Sequence, residues 1–245
     1  MATLTRFHRA SPDLSGRSTE SEWLDDAGVD PAELERVLRD LARFNGAILG
    51  RRVIISWLRR AIDDAPHGKT LTLVDVGCGN GDLLRAIRRW TRRRGVPMKL
   101  FGLDLSEESV RIAGATTHQA DQIDYQVGDV FDFQSNTAID IVVSSLLTHH
   151  LSDQLIVEFL RWMERTAHKG WLIYDLQRHF VPYHLVGAAG AVLRLHPTVV
   201  HDGRISVARS LTRGEWEARL TAAGIPRDVV DLRWFLFRFV IGRMR

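Results

Sequence analysis

The stretch that decides how this chain folds is Val74-Asp75-Val76-Gly77-Cys78-Gly79-Asn80-Gly81-Asp82. The apolar run Leu71–Val76 predicts a buried strand, and the residues from 82 to 94 have the apolar spacing of a helix. A glycine-rich turn between a strand and a helix lets backbone N–H groups approach a ligand closely, because no Cβ intervenes. In a parallel sheet such a turn lies at the carboxyl ends of the strands, where ligands bind. The stretch therefore predicts an α/β domain with a ligand site at this turn.

The spacing of the glycines separates classes of nucleotide-binding turn. Dinucleotide-binding proteins use Gly-x-Gly-x-x-Gly. Here Gly77, Gly79 and Gly81 form Gly-x-Gly-x-Gly, with Asp75 two positions before the first glycine. The sequence also contains no Gly-x-x-x-x-Gly-Lys-Ser/Thr phosphate loop. These features disfavour a nicotinamide-dependent dehydrogenase and a phosphate-loop enzyme.

Strand and helix patterns alternate downstream of the turn. Strands are predicted over 71–76, 99–105, 123–127, 139–147, 171–176, 229–235 and 237–243, and helices over 82–94, 106–115, 152–167 and 212–223. Helix-length connections between strands predict a doubly wound, mostly parallel sheet of seven strands. The last two strands are joined by a short connection, which favours an antiparallel pair.

Three further strand ends carry residues that matter for function. Asp104 ends the second strand, Gly128-Asp129-Val130 ends the third, and Ser144–Leu147 ends the fourth. With Asp75–Gly81 they make the sequence resemble the class I S-adenosylmethionine-dependent methyltransferases, in their small-molecule branch, from about Leu71 to the C-terminus. The resemblance implies a Rossmann-like fold with an antiparallel last strand.

The same resemblance implies S-adenosylmethionine as cofactor, S-adenosylhomocysteine as product, and no metal. The family's acid after the second strand accepts hydrogen bonds from the ribose hydroxyls, the acid after the third strand meets the adenine amino group, and the end of the fourth strand lies beneath the sulfonium. The implied cofactor-binding residues are Asp75, Gly77, Cys78, Gly79, Asn80, Gly81, Asp104, Leu105, Asp129, Val130 and Ser144.

The acceptor side is less determined by the sequence. His149 and His150 follow the fourth strand, where a neutral imidazole is suited to remove a proton from a phenol. Either ring could instead cap the next helix or pack against the cofactor. His179, Tyr183 and His184 lie in a segment that follows the fifth strand and suits either a substrate lid or a surface helix; they are second-rank candidates.

The chain divides into two parts. Residues 1–70 are predicted to form a loose arm over 1–18 and helices over 20–60, with Asp30-Pro31 opening one of them. Arg43, Asn45, Arg51 and Arg52 are candidates to close over the cofactor. Residues 71–245 form the cofactor-binding domain, with a lid insertion over about 178–210. The single cysteine, Cys78, excludes an intramolecular disulfide framework.

Charge raises the question of a nucleic-acid partner. The net charge is only +3, but 30 of the 33 basic residues are arginine, and arginine binds phosphate well. Acidic residues are interspersed among them, so we interpret the arginines as solvated helix faces and expect no nucleic acid partner. The apolar stretches are too short or too interrupted to span a membrane. We expect a cytoplasmic protein, either a monomer or a homodimer.

These features predict an enzyme that methylates a small aromatic or lipid-like acceptor. The leading hypothesis is oxygen methylation of a phenolic or polyketide-type metabolite. The alternatives are carbon methylation of a quinone-like ring, RNA methylation, and a binding module that has lost the transfer reaction.

Overall fold

The computed structural model describes residues 13–23, 36–37, 40, 50–63 and 68–245. The helix start predicted at Asp30-Pro31 and the candidates Arg43 and Asn45 lie outside the described residues. Among the described helices, none is both long and apolar enough to cross a bilayer.

The described strands form one mixed sheet. They are β1 (Leu71–Val76), β2 (Met98–Asp104), β3 (Ile123–Val127), β4 (Ile141–Ser145), β5 (Gly170–Leu176), β6 (Asp231–Phe235) and β7 (Arg238–Met244). Their order is β3-β2-β1-β4-β5-β7-β6, and β7 runs antiparallel to both of its neighbours. The predicted Rossmann-like, mostly parallel sheet with an antiparallel last strand is confirmed.

Helices cover both faces of this sheet. The α-helices whose full extent is described are α1 (Gly50–Ala61), α2 (Asp82–Arg94), α3 (Glu107–Thr116), α4 (Asp153–Thr166), α5 (Phe180–Leu193), α6 (Pro197–Arg209) and α7 (Arg213–Ala222). One core packs α1 and α2 against the sheet through side chains such as Trp57 and Leu84. The other packs α4 and α7 through Phe159 and Trp216. The sheet is therefore buried on both faces, as its apolar strands predict.

Polar caps set where several helices begin. Ser106 and Ser152 accept hydrogen bonds from the third residues of α3 and α4, and Thr212 forms a capping box with Glu215 at α7. These are the first residues of the helices predicted over 106–115, 152–167 and 212–223, and a side-chain oxygen here satisfies an N–H group that the helix leaves unpaired.

The β4 strand is shorter than predicted. It ends at Ser145, because Leu146 adopts a left-handed backbone with φ of 60° and donates its N–H to Tyr174 O at 2.9 Å. The chain then forms a single 3-10 turn, Thr148–His150, before α4. This early turn directs the two histidines towards the interior.

Residues 13–18 do not form the loose arm predicted from their polar composition. Arg17 donates to Arg209 O at 2.7 Å and to Leu151 O at 2.9 Å, and Ser18 N donates to Ala208 O at 3.0 Å. The partners lie about 130 to 190 residues away in sequence, so local composition gave no sign of them. This segment ties the lid helix α6 to the turn after β4.

The lid insertion consists of two helices where the sequence shows no clear period. α5 has no charged residue over its length, and it contributes both cavity-lining and exposed apolar side chains. A helix that is apolar all round gives no amphipathic signal, which explains why periodicity did not reveal it.

A test of the sheet centre concerns Gly102 in β2. A Cβ there would lie 2.6 Å from Tyr125 Cδ1, 2.8 Å from Cys78 Sγ and 2.9 Å from Leu84 Cδ1. We expect Gly102→Ala to destabilise the protein by about 1–3 kcal/mol through overpacking. Gly114→Ala in α3 is the matched control, since its Cβ meets nothing within 4 Å and alanine favours a helix. Urea denaturation measures both, and an unchanged midpoint for Gly102→Ala would contradict the packing.

Candidate active site

A cavity of about 770 Å³ opens at the carboxyl ends of β1, β4 and β5. One end is formed by the glycine turn after β1. The other end is apolar and is formed by α5 and α6, with side chains that include Pro182, Leu185, Val186, Val192, Val199 and Val207. The two ends suit two ligands of different polarity.

The glycine turn is held against the end of β2. Gly77 N and Cys78 N both donate to Leu103 O, and Gly79 N donates to Asp104 Oδ2 at 2.8 Å. Gly79 has a φ of 51°, and a Cβ on it would meet no atom within 4 Å. Because Gly79 lines the cavity, this open side is available to a ligand.

The rest of the turn is polar and small. Asn80 lines the cavity, and its Oδ1 accepts a hydrogen bond from Asp82 N at 3.2 Å. Gly81 precedes α2, close to Tyr125. The Cys78 thiol is buried, and its burial, with nearby carboxylates, raises its pKa. A thiol that stays protonated supports a packing role.

Asp75 is a buried carboxylate at the end of β1. It is 1% exposed, and its Oδ1 atom has no hydrogen-bond partner in the described part of the chain. Burial, and then the charges of Asp82 and Asp104, raise its pKa well above the ordinary value. A cation bound here would be stabilised by three carboxylates.

Asp104 and Leu105 lie beside the turn at the end of β2. Asp104 uses Oδ2 for Gly79 N and Oδ1 for Ser106 N, at 2.8 and 2.9 Å. A carboxylate has about four lone-pair sites, so both oxygens keep the capacity to accept ribose hydroxyls. Leu105 is 70% exposed and offers an apolar surface next to them.

The structure gives less direct support for the cofactor contacts predicted at the ends of β3 and β4. Asp129 is exposed, with Oδ1 accepting from Phe131 N at 3.0 Å. The Val130 side chain is buried in the core, so only its backbone can face a cofactor. Ser144 is buried and does not line the cavity, whereas Ser145 and Leu146 do. One residue along a strand reverses the direction of the side chain.

His149 is the buried titratable side chain on the acceptor side. It lines the cavity, and its Nδ1 lies 2.7 Å from Asp175 Oδ1. The other oxygen of Asp175 accepts from His149 N at 3.2 Å and from Thr148 Oγ1. Burial alone would raise the pKa of Asp175, but the His149 imidazole and these hydrogen bonds outweigh it and lower the pKa to about 2. The pair is therefore a charged carboxylate holding an imidazole.

Glu22 reaches the same place from the N-terminal segment. It is buried, lines the cavity, and accepts a hydrogen bond from Ser206 Oγ at 2.7 Å. Its Oε1 lies 3.7 Å from His149 Nε2 and 3.8 Å from His150 Nε2. Glu22 therefore adds a second carboxylate on the side of the His149 ring opposite Asp175.

Glu22, His149 and His150 could in principle hold a metal ion, since their ligand atoms lie within 4.8 Å of one another. Zinc at about 2.1 Å in a tetrahedron places its ligand atoms about 3.4 Å apart. The measured separations of 3.7 and 3.8 Å require the set to contract before it could bind an ion. The expectation of no metal stays a prediction.

The second-rank candidates lie away from the cavity. His179 is exposed, caps α5 and stacks on Phe237, with ring centroids 6.1 Å apart. Tyr183 lies under the Arg204 guanidinium, and His184 is exposed. None of the three is among the lining residues. The structure therefore favours the helix-forming interpretation of these residues over a catalytic one.

Sequence reasoning missed Asp175 and Glu22. Asp175 is the fifth residue of the strand predicted over 171–176, and an acid inside an otherwise apolar strand is a signal that could have been used, because buried carboxylates are usually paired. Glu22 had no such signal, since it lies in a polar segment about 130 residues before the histidines.

Comparison with known proteins bears directly on the glycine turn. Residues 73–170, which contain it and extend to the start of β5, match the family described as a methyltransferase domain. Over this segment the match supports a class I S-adenosylmethionine-dependent methyltransferase domain.

Two curated relatives support the methyltransferase assignment. Ajmaline N-methyltransferase of Rauvolfia serpentina is 30% identical over 118 residues, which cover 46% of this chain and 38% of that protein. Trans-aconitate 2-methyltransferase of Mycobacterium tuberculosis is 32% identical over 130 residues, covering 51% of this chain and 44% of that protein. The chain thus matches less than half the length of these relatives.

A solved structure shows the same fold over most of the chain. The plantazolicin methyltransferase BpumL in complex with S-adenosylhomocysteine has a TM-score of 0.64 and 15% identity, and the match covers 87% of this chain and 91% of that one. This match covers more of the chain than residues 73–170, so the shared fold extends beyond the matched family segment.

The methyltransferase turn fits the predicted cofactor. S-adenosylmethionine has an ammonium and a sulfonium, and Asp75 offers a buried oxygen without a partner among the described residues. Gly79 leaves open the space that a side chain would fill, and Asp104 keeps lone pairs for a diol. These residues would hold the cofactor across the ends of β1 and β2.

We expect Gly79→Ala to abolish cofactor binding while lowering stability no more than the same change does at another open, left-handed glycine. The added Cβ enters the ligand side of the turn and strains a left-handed residue, which costs about 1–2 kcal/mol. Gly95→Ala is the matched control, because Gly95 is also left-handed and open but follows α2 away from the cavity. Both should lower the melting temperature similarly, while calorimetry with S-adenosylhomocysteine should show loss of binding only in Gly79→Ala. Equal affinities would contradict the turn's role.

Cofactor binding should strengthen as pH rises. A bound cation favours ionised Asp75 and lowers its raised pKa, so binding releases a proton below that raised value. Titration of S-adenosylmethionine in buffers with different ionisation enthalpies measures this release. Asp75→Asn should remove it and weaken binding at all pH values. Proton release that persists in Asp75→Asn would assign the effect to another group.

Proposed function

We propose that this protein transfers the methyl group of S-adenosylmethionine to an oxygen of a small, mostly apolar acceptor, such as a phenolic or polyketide-type metabolite. The observation that carries the proposal is the His149–Asp175 pair, in which the His149 side chain lines the same cavity as the glycine turn. A base is useful where the acceptor is a hydroxyl group, because its proton must leave as the methyl group arrives.

Asp175 determines which nitrogen of His149 can act as the base. A carboxylate only accepts hydrogen bonds, so Nδ1 carries the ring proton and donates it to Asp175 Oδ1. Nε2 then has the lone pair that can take a proton, and Glu22 Oε1 lies 3.7 Å from it. The charge of Asp175 stabilises the imidazolium that forms when Nε2 takes a proton.

The cavity residues complete the reaction. S-adenosylmethionine supplies, when bound, a methyl group on a positively charged sulfur that becomes a neutral thioether on transfer. His149 Nε2 receives the proton of the acceptor hydroxyl and the oxygen keeps the electrons of the broken O–H bond, so the oxygen has a pair to donate to the methyl carbon as the new C–O bond forms. The apolar side chains of α5 and α6 exclude water and orient the acceptor.

The alternatives to a hydroxyl acceptor at this site are a nitrogen atom, an organic acid, a ring carbon and RNA. The name of one relative refers to nitrogen methylation and that of another to an organic acid, and both are small molecules. Carbon methylation of a quinone-like ring also uses a base. RNA methylation is disfavoured because the far end of the cavity is apolar.

We expect His149→Gln and Asp175→Asn each to lower kcat by about 10²- to 10⁴-fold. The first removes the base, and the second lets the imidazole take the wrong tautomer. Binding of S-adenosylhomocysteine should change little, because neither residue lies in the glycine turn. His184→Gln is the control, since His184 is exposed and does not line the cavity; its kcat should equal that of the native protein.

The function itself is tested by transfer of a labelled methyl group to a panel of phenols, polyketide lactones, quinols, amines and RNA. Label in the ether fraction of a phenol, independent of salt, is the expected result. Label on carbon or nitrogen alone, or label in RNA with strong salt dependence, would overturn oxygen methylation of a small molecule.

A further inference from the structure

A buried cation lines the cavity at the start of β7, three strand positions from β1 in the sheet. Arg238 is the first residue of β7 and pairs with Leu176, the last residue of β5. It is 4% exposed and lines the cavity beside Tyr174. Neither residue takes part in the His149–Asp175 pair or in the glycine turn.

Each of these two side chains has a buried polar atom that makes no hydrogen bond within the described part of the chain. Arg238 Nη1 and Tyr174 Oη are both buried without a hydrogen-bond partner among the described residues. The Arg238 guanidinium lies over the Tyr174 ring, with Cζ 5.5 Å from the ring centroid. Asp175 exerts a favourable charge on Arg238, but its oxygens are hydrogen-bonded to the turn after β4.

Such an arrangement is costly in the absence of a ligand. A buried guanidinium without hydrogen bonds to a counter-ion is destabilising, and so is a buried hydroxyl without a partner. A planar guanidinium beside a phenol hydroxyl offers several N–H and O–H donors to one pair of oxygens, which is how arginine recognises a carboxylate.

We infer that Arg238 and Tyr174 form a subsite for a carboxylate of the methyl acceptor. The acceptor is then a hydroxylated carboxylic acid, with its hydroxyl group at His149 and its carboxylate at Arg238. This inference rests on the proposed small-molecule methyl transfer, and it narrows the class of acceptor.

The position of Arg238 in the sheet assigns the carboxylate to the acceptor and not to the cofactor. The strand order β1-β4-β5-β7 separates the glycine turn from β7 by three intervals of about 4.8 Å, or about 14 Å. The ribose site expected at Asp104 lies on the opposite side of β1, and the cofactor has only a four-carbon amino-acid chain beyond its sulfur. Arg238 therefore lies over the acceptor end.

The test uses 6-hydroxy-2-naphthoate and its uncharged counterpart 2-naphthol as probes. Calorimetry with the full chain saturated with S-adenosylhomocysteine should show the native protein binding the naphthoate at least tenfold more tightly than the naphthol. Arg238→Met should remove this difference and leave naphthol affinity unchanged. Arg238→Lys should retain part of it, and Tyr174→Phe should reduce the preference severalfold.

Two further measurements distinguish recognition from a structural role. Removing a buried charge that has no hydrogen-bonded counter-ion should leave the melting temperature of Arg238→Met unchanged or higher. Its affinity for S-adenosylhomocysteine should also be unchanged. A large fall in melting temperature, a loss of S-adenosylhomocysteine binding, or equal native affinity for the two probes would each overturn the subsite.

The experiments can overturn the carboxylate subsite and the proposed oxygen methylation independently of each other. Carboxylate preference that depends on Arg238, without methyl transfer to any hydroxyl compound, supports the subsite and counts against oxygen methylation. Methyl transfer to phenols at equal rates in native protein and Arg238→Met, with equal affinity for both probes, supports oxygen methylation and overturns the subsite.

Discussion

The acceptor side of the cavity depends on the buried carboxylate of Asp175 at the end of β5. It accepts hydrogen bonds from Thr148, from the backbone and ring of His149, and from the Leu176 amide. These bonds join β5 to the turn that follows β4, its neighbour in the sheet. Because the pKa of Asp175 is lowered to about 2, the carboxylate is ionised throughout the physiological range and fixes the His149 ring in one orientation.

The order of the strands in the sheet separates the acidic side chains of the cavity from the basic one. Carboxylates at the ends of β1 and β2 surround the glycine turn, and Arg238 lies at the start of β7 on the other side. A cationic cofactor and an anionic group on the acceptor are therefore favoured at opposite ends. The His149–Asp175 pair lies between them, at the end of β4 and β5. Because β7 runs antiparallel to β5, its first residue lies at the edge where the carboxyl ends of the parallel strands meet.

The sequence predicted the sheet and the glycine turn well because their signals are local. Buried strands are continuous apolar runs, caps are single residues at fixed positions, and the turn needs glycine where the backbone is left-handed or crowded. It predicted the lid and the N-terminal segment poorly. The helix α5 is apolar all round, and residues 13–18 are held by partners about 130 to 190 residues away.

By itself, then, the sequence determined the α/β fold, the position of the glycine turn, and the acids at the ends of β1 and β2. It also placed histidines after β4 without distinguishing a base from a cap. Only the tertiary structure decided that His149 is held by Asp175, that Glu22 approaches the other side of the ring, and that His179, Tyr183 and His184 lie outside the cavity. The physical reason is that hydrogen bonds between separate strands and segments depend on sheet order and register, which no local pattern of residues encodes.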